Sequence, residues 1–185
     1  LFATTEFADS ASDFANARII GRMSKDGGVT WSAAQVLQKS VGKLNVMSVT
    51  MLRLTDEGPY SGPIGMFYLV KNSHDDLDVW LKVSTDEGKT FGESVLVTNQ
   101  PGYHVMNNDR VQRLSSGRLV VPVASTSDVS KVNHFVSRCF ISDDQGLTWR
   151  LGKGAIDYAK RGAMEPEIVE LAKNEDGSVR LAMYM

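Results

Sequence analysis

The chain has 185 residues, enough for one domain, with 42% hydrophobic and 23% charged residues and a formal net charge of −2. With no basic run and no aromatic-interleaved basic patch, that balance excludes nucleic acid as a partner. No apolar stretch reaches the length of a membrane span, the opening residues do not read as a signal peptide, and the one cysteine, Cys139, leaves no internal disulfide.

In chain order, strand-like runs dominate and none carries a long 3.6-residue apolar period. The first repeat offers 1–7, a run from 18 toward 24, and a short continuation. The second has runs over 46–54, 64–70, 77–83 and 94–98, and the third over 110–114, 118–124 and 135–141, with a weak run near Leu151. Two further runs, 165–171 and 179–185, close the chain. Cys139 lies inside an apolar run and reads as an inert buried thiol rather than a nucleophile. The three histidines are scattered and have no metal-ligand spacing.

A turn lies between the third and fourth strands of each unit. The three turns read Ser-x-Asp-x-Gly-x-Thr-aromatic at 24–31, 84–91 and 142–149, with starts 60 and 58 residues apart. Asp26, Asp86 and Asp144 suit hydrogen bonds to nearby backbone. Gly28, Gly88 and Gly146 supply positive φ, and Trp31, Phe91 and Trp149 can fold back to anchor the turn. A calcium loop would need more acidic ligands at alternate positions. The expectation is three structural turns and no metal or other cofactor.

Four antiparallel strands recurring at this period predict an all-β fold, a β-propeller of four-stranded blades. By this reading 1–7 is the second strand of a blade, 165–171 and 179–185 are the first two strands of another, and the chain carries thirteen strands. A closed propeller of six blades needs about 360 residues. The expectation is therefore a partial propeller, with residues 1–185 belonging to a single domain that extends beyond both ends.

Topology also sorts the loops. The Ser-x-Asp turns lie at one end of the blades. The other end collects 8–17, 71–76 and 125–133, with the strand starts at Asn45, Asn107–Asp109 and Glu165. That polar end, with its longer loops, is the candidate site end. Asp13 and Glu165 belong to different blades there and are candidate catalytic carboxylates; Asn108 and Asp109 are candidate substrate contacts. Simpler readings stand beside these. Asp13 would be a solvated turn residue, Glu165 the start of a strand, Asn108 and Asp109 strand caps, Arg110 a partner of Asp109, and His74 a solvated loop residue.

The turn pattern resembles the Asp-box, or bacterial neuraminidase repeat, and the whole chain resembles the middle of a sialidase of the six-bladed propeller superfamily. Three stretches carry the likeness: 13–24 running into the first box, 107–124, and 164–171 with Glu165 before Pro166. The resemblance implies retaining hydrolysis of a terminal sialic acid from a sialylated glycan, without a cofactor. It makes Asp13 the acid/base, and Glu165 the partner of a nucleophilic Tyr that falls outside this chain. Tyr60, Tyr68, Tyr103, Tyr158 and Tyr184 are accordingly unassigned, and the family's three carboxylate-gripping arginines also lie outside. The arginine the family often places shortly before the acid/base Asp has no counterpart; Phe7 stands near that place. The resemblance favours a secreted or periplasmic protein, while the 185 residues alone are expected to be inactive. Two alternatives stay open: a non-catalytic glycan- or protein-binding propeller, and a propeller hydrolase of another sugar.

Overall fold

The computed structural model describes residues 1–8, 12–55 and 62–185, and among these it places fourteen β-strands and no helix. β1 (Phe2–Phe7), β2 (Ala17–Arg22) and β3 (Gln35–Gln38) form a three-stranded antiparallel sheet. β4 (Asn45–Arg53), β5 (Ile64–Lys71), β6 (Leu77–Ser84) and β7 (Val95–Leu96) repeat that arrangement with four strands. β8 (Tyr103–Val105) and β9 (Gln112–Arg113) both pair with the same edge of β10 (Leu119–Thr126), followed by β11 (Val136–Ser142) and β12 (Arg150–Ile156). β13 (Glu167–Glu170) and β14 (Leu181–Tyr184) form a last antiparallel pair.

The all-β expectation therefore holds, with one extra strand. The inner strand expected at 110–114 is longer and broken: β8 and β9 are its two halves, separated by a bulge over 106–111. The weak run near Leu151 is a full strand, β12, and the run at 94–98 narrows to β7. A single parallel pairing of Leu77 with Tyr103 joins the second and third units into one sheet.

Period-two alternation explains how the units stack. On β5, Phe67 and Leu69 enter one core with Leu77, Val79 and Leu81 of β6 and Leu119, Val121 and Val123 of β10. The alternate residues Met66, Tyr68 and Val70 enter a second core with Ile19 of β2 and Val46 and Val49 of β4. On β10, Val120 faces the other way, into a third core with Leu114 and Ile168. Each central strand thus feeds two cores and is covered on both faces. This is why β5 is buried along its whole length and reads as a continuous apolar run.

The three repeated turns share one hydrogen-bond set. In the third, Ser142 Oγ donates to Asp144 Oδ1 at 2.8 Å, and Gly146 N–H donates to Ser142 Oγ at 2.8 Å. Thr148 N–H and Oγ1 donate to the two Asp144 carboxylate oxygens at 2.9 and 2.5 Å, and the Trp149 indole N–H closes on Gly146 O at 3.0 Å. The first turn repeats every one of these bonds around Asp26, and the second repeats all but the indole bond around Asp86. Gly146 sits at φ 92°, and a Cβ there would lie 2.5 Å from the Leu81 side chain, so conformation and space both require glycine.

These bonds have a consequence in acid. Donation from Thr30, Thr90 and Thr148 holds the Asp26, Asp86 and Asp144 carboxyls down at about 2. A carboxyl depressed on folding contributes stability above its unfolded value, and loses it as pH falls through the folded one. Denaturant midpoints should therefore hold down to about pH 4 and drop steeply between about pH 4 and 2. Asp86→Asn should flatten part of that drop. A midpoint unchanged across the window contradicts the assignment.

Candidate active site

At the end opposite the Ser-x-Asp turns, three loops and an inner-strand start are tied together. Asn45, at the head of β4, donates its amide to the backbone carbonyls of Asp13 and Ala15, each at 2.8 Å. Lys71, the last residue of β5, donates Nζ to the Asp13 carbonyl at 2.5 Å. The Phe14 ring stacks on His74 with centroids 4.9 Å apart, and His74 O accepts the Val129 N–H at 2.8 Å. The loops over 12–16, 72–76 and 127–135 thus meet at one end, as the topology predicted. Asp13 itself is exposed, and its carboxylate has no hydrogen-bond partner among the described residues.

Glu165 reaches the same end by another route. β12 ends at Ile156 opposite Ser137, and the following connection folds back over the start of β11. Phe135 N–H donates to Arg161 O at 2.9 Å, Ala163 N–H to Phe135 O at 2.8 Å, and Ser137 Oγ to Ala163 O at 2.9 Å. His134 joins in, with Nδ1 2.8 Å from Lys160 O and Nε2 2.7 Å from Asp157 Oδ1. Those two acceptors, the Lys160 carbonyl first, push the His134 imidazole toward its charged form. So anchored, the connection delivers Glu165 exposed just ahead of β13, at φ 54°, with no carboxylate partner among the described residues. Ser48 and Asp109 hold similar positive φ values in the two preceding inner strands, at 49° and 56°. A non-glycine residue there is strained, and such strain concentrates at functional positions.

Asn108 and Asp109 sit in the bulge between β8 and β9. Asn108 Oδ1 accepts the Val49 N–H at 3.0 Å, Asp109 N–H donates to Val49 O at 3.2 Å, and Arg110 N–H donates to Thr50 Oγ1 at 3.1 Å. The bulge therefore stitches two neighbouring inner strands together, and the Asn108 carbonyl is engaged there. Asp109 is exposed and borders a cleft with Thr4, Val49, Met51 and Asn108. Arg110 pairs with Glu167 of β13 at 3.6 Å, where the sequence suggested Asp109.

Tyr68 and Tyr103 are unsuited to be nucleophiles. Burial raises the phenol of Tyr68, which bonds Ser94 at 3.0 Å. Burial, with the Asp13 charge added, pushes Tyr103 up to about 12. A nucleophilic phenol needs the opposite shift. Tyr158 and Tyr184 are exposed, and Tyr60 lies outside the described residues. Burial pushes the Cys139 thiol up to about 11, in keeping with an inert side chain. Among the described residues no cluster of His, Cys, Asp or Glu is placed to hold a metal ion, and no helix could cross a membrane. Lys71, Phe14 and His74 were not legible as a group, since they come from separate loops and strand ends.

Stacked antiparallel units with Asp-box turns at one end and a polar loop cluster at the other define a sialidase-like scaffold. The chain belongs to the BNR repeat-like domain family, whose pattern matches residues 54–183. No curated protein matches it. Among solved structures it is similar to a protein of unknown function from Dyadobacter fermentans, at 19% identity and a TM-score of 0.67, covering 96% of this chain and 54% of that one. A Hadza microbial sialidase, Hz136, is similar at 15% identity and a TM-score of 0.62, with 91% and 38% covered. An endo-arabinase from Bacteroides thetaiotaomicron is similar at 12% identity and a TM-score of 0.52, with 91% and 60% covered. The chain thus spans about half of the first of these proteins and less of the sialidase. At these identities the likeness is one of fold, that of glycoside hydrolases among others.

Proposed function

We propose that the chain is part of an exo-α-sialidase that releases terminal sialic acid from glycoconjugates with retention. The carrying observation is the tying of the Asp13 loop to neighbouring units at the polar end, with two exposed carboxylates, Asp13 and Glu165, from different units and without hydrogen-bond partners among the described residues. Residues 1–185 form part of one six-bladed propeller domain, the Asp-boxes at 24–31, 84–91 and 142–149 bracing its other end. In this reading Asp13 protonates the leaving glycosidic oxygen and later deprotonates the attacking water. Glu165 withdraws the proton from a Tyr nucleophile supplied by the rest of the domain. A phenol suits a substrate whose anomeric carbon already carries a carboxylate, which would repel a carboxylate nucleophile. Asp109 and Asn108 border the sugar site from the inner-strand bulge.

A second reading, hydrolysis of another sugar on the same scaffold, is favoured by the arabinase likeness and by Phe7 standing near the place of a family arginine. A glycoside panel separates the two. The whole enzyme of which this chain is proposed to be part should cleave α-sialosides and leave arabinosides and neutral aryl glycosides intact. Turnover of an arabinoside with intact sialoside transfers the assignment to the second reading. No turnover of any member leaves a binding module.

A further inference from the structure

Lys71 is the unusual residue beneath the site. It is 1% exposed, yet among the described residues no carboxylate lies within salt-bridge distance. Lysine is almost never buried this fully unless it is paired. Its ammonium instead donates to the Asp13 backbone carbonyl, lies 4.2 Å from the centroid of the Phe14 ring and 5.9 Å from that of Tyr103. Burial lowers its basicity, and the nearby Asp13 charge opposes that shift. The groups facing it are Asp13 and Phe14 on the 12–16 loop, Tyr103 on β8, and Asn45 across the β4–β5 ladder. Asn45, itself fully buried, binds the same Asp13 carbonyl.

Two buried donors thus converge on one backbone oxygen of an exposed loop. A buried ammonium carries a large desolvation cost, which a purely structural site would avoid with an apolar side chain of similar length. We propose that Lys71 is a positioning residue for the acid step: by gripping the Asp13 carbonyl and the Phe14 ring, it fixes the loop so that the Asp13 carboxyl meets the leaving-group oxygen. Lys71 does not touch the substrate. The inference rests on the reading of Asp13 as the acid, and it adds that the loop geometry is set from below by a cation. Misplacing a catalytic group by about 1 Å can cost on the order of 100-fold in rate.

The test uses leaving-group dependence in the whole enzyme of which this chain is proposed to be part. An acidic phenol departs with little help, whereas a sugar alcohol needs a proton from the acid. Lys71→Met should lose about 10- to 100-fold in kcat/KM, which reports the bond-breaking step, on sialyllactose. On 4-methylumbelliferyl α-sialoside its kcat/KM should stay within about 3-fold of wild type, because that bond breaks without full protonation. Asp13→Asn should show the same split, more strongly. A Lys71→Met variant that loses both substrates equally, or neither, overturns the inference. Should that variant not fold, Lys71→Arg keeps a cation but displaces its donors, and the same split or its absence decides. Failure of the underlying reading is recognised separately: Asp13→Asn would then show no leaving-group dependence.

Discussion

Asp13→Asn in the whole enzyme of which this chain is proposed to be part should lower kcat on sialyllactose by about 100- to 10,000-fold, the range attached to a general acid. Melting temperature should stay near that of wild type. The two halves of this expectation come from different observations. Asp13 is held through its backbone carbonyl, by Asn45 and Lys71, so the loop keeps its anchors when the side chain becomes an amide. The carboxylate is exposed and has no hydrogen-bond or ion-pair partner among the described residues, so no such folded-state bond is lost. Glu165→Gln should behave alike, since Glu165 is exposed and unpartnered in the same way and its φ is a property of the backbone. Assays of turnover beside thermal melts check both variants. Unchanged turnover removes that residue from the mechanism; a collapsed melting temperature assigns it to the fold.

Trp149→Ala should do the reverse and cost about 3–5 kcal/mol of stability, the range for truncating a buried aromatic. Trp149 is 7% exposed, packs edge-on against Phe67 with centroids 5.9 Å apart, and donates its indole N–H to Gly146 O. Its carbonyl also accepts the Asn99 side-chain amide at 2.8 Å, which ties the third turn to the chain leaving β7. Trp31 holds the same place in the first turn and makes the same indole bond, but it is 46% exposed and meets the exposed Phe2 ring in a T-shaped contact with centroids 6.1 Å apart. Trp31→Ala should therefore cost about 1 kcal/mol or less, as partly exposed sites do. Chemical denaturation of the two variants checks the contrast. Equal losses would mean that the turn itself, and not burial beneath it, carries the energy.

That contrast also marks what the sequence could disclose. The eight-residue pattern and its spacing expose the turns, because their bonds run between residues two to four apart and depend on residue type alone. The sequence could not say that the third turn is buried and the first exposed, since burial depends on which unit packs against each turn. The inner strand of the third unit was read short for a similar reason. β8 has only three residues, it follows Pro101-Gly102, and it owes its pairing to β10 rather than to an apolar run of its own. Asp13 and Glu165 were legible as candidates from loop topology and family likeness. Lys71 was not, because a lysine at a strand end reads as a solvated residue until the loop that covers it is placed. Asn108 was legible as a polar residue at a strand start, whereas its bond to Val49 joins residues 59 positions apart.

The most direct measurement follows the whole enzyme of which this chain is proposed to be part acting on sialyllactose by proton NMR. A retaining sialidase built on this site gives free sialic acid that appears first as the α anomer and only then mutarotates. Sialyllactose that remains intact, while an arabinoside in the same tube is cleaved, would contradict the sialidase assignment.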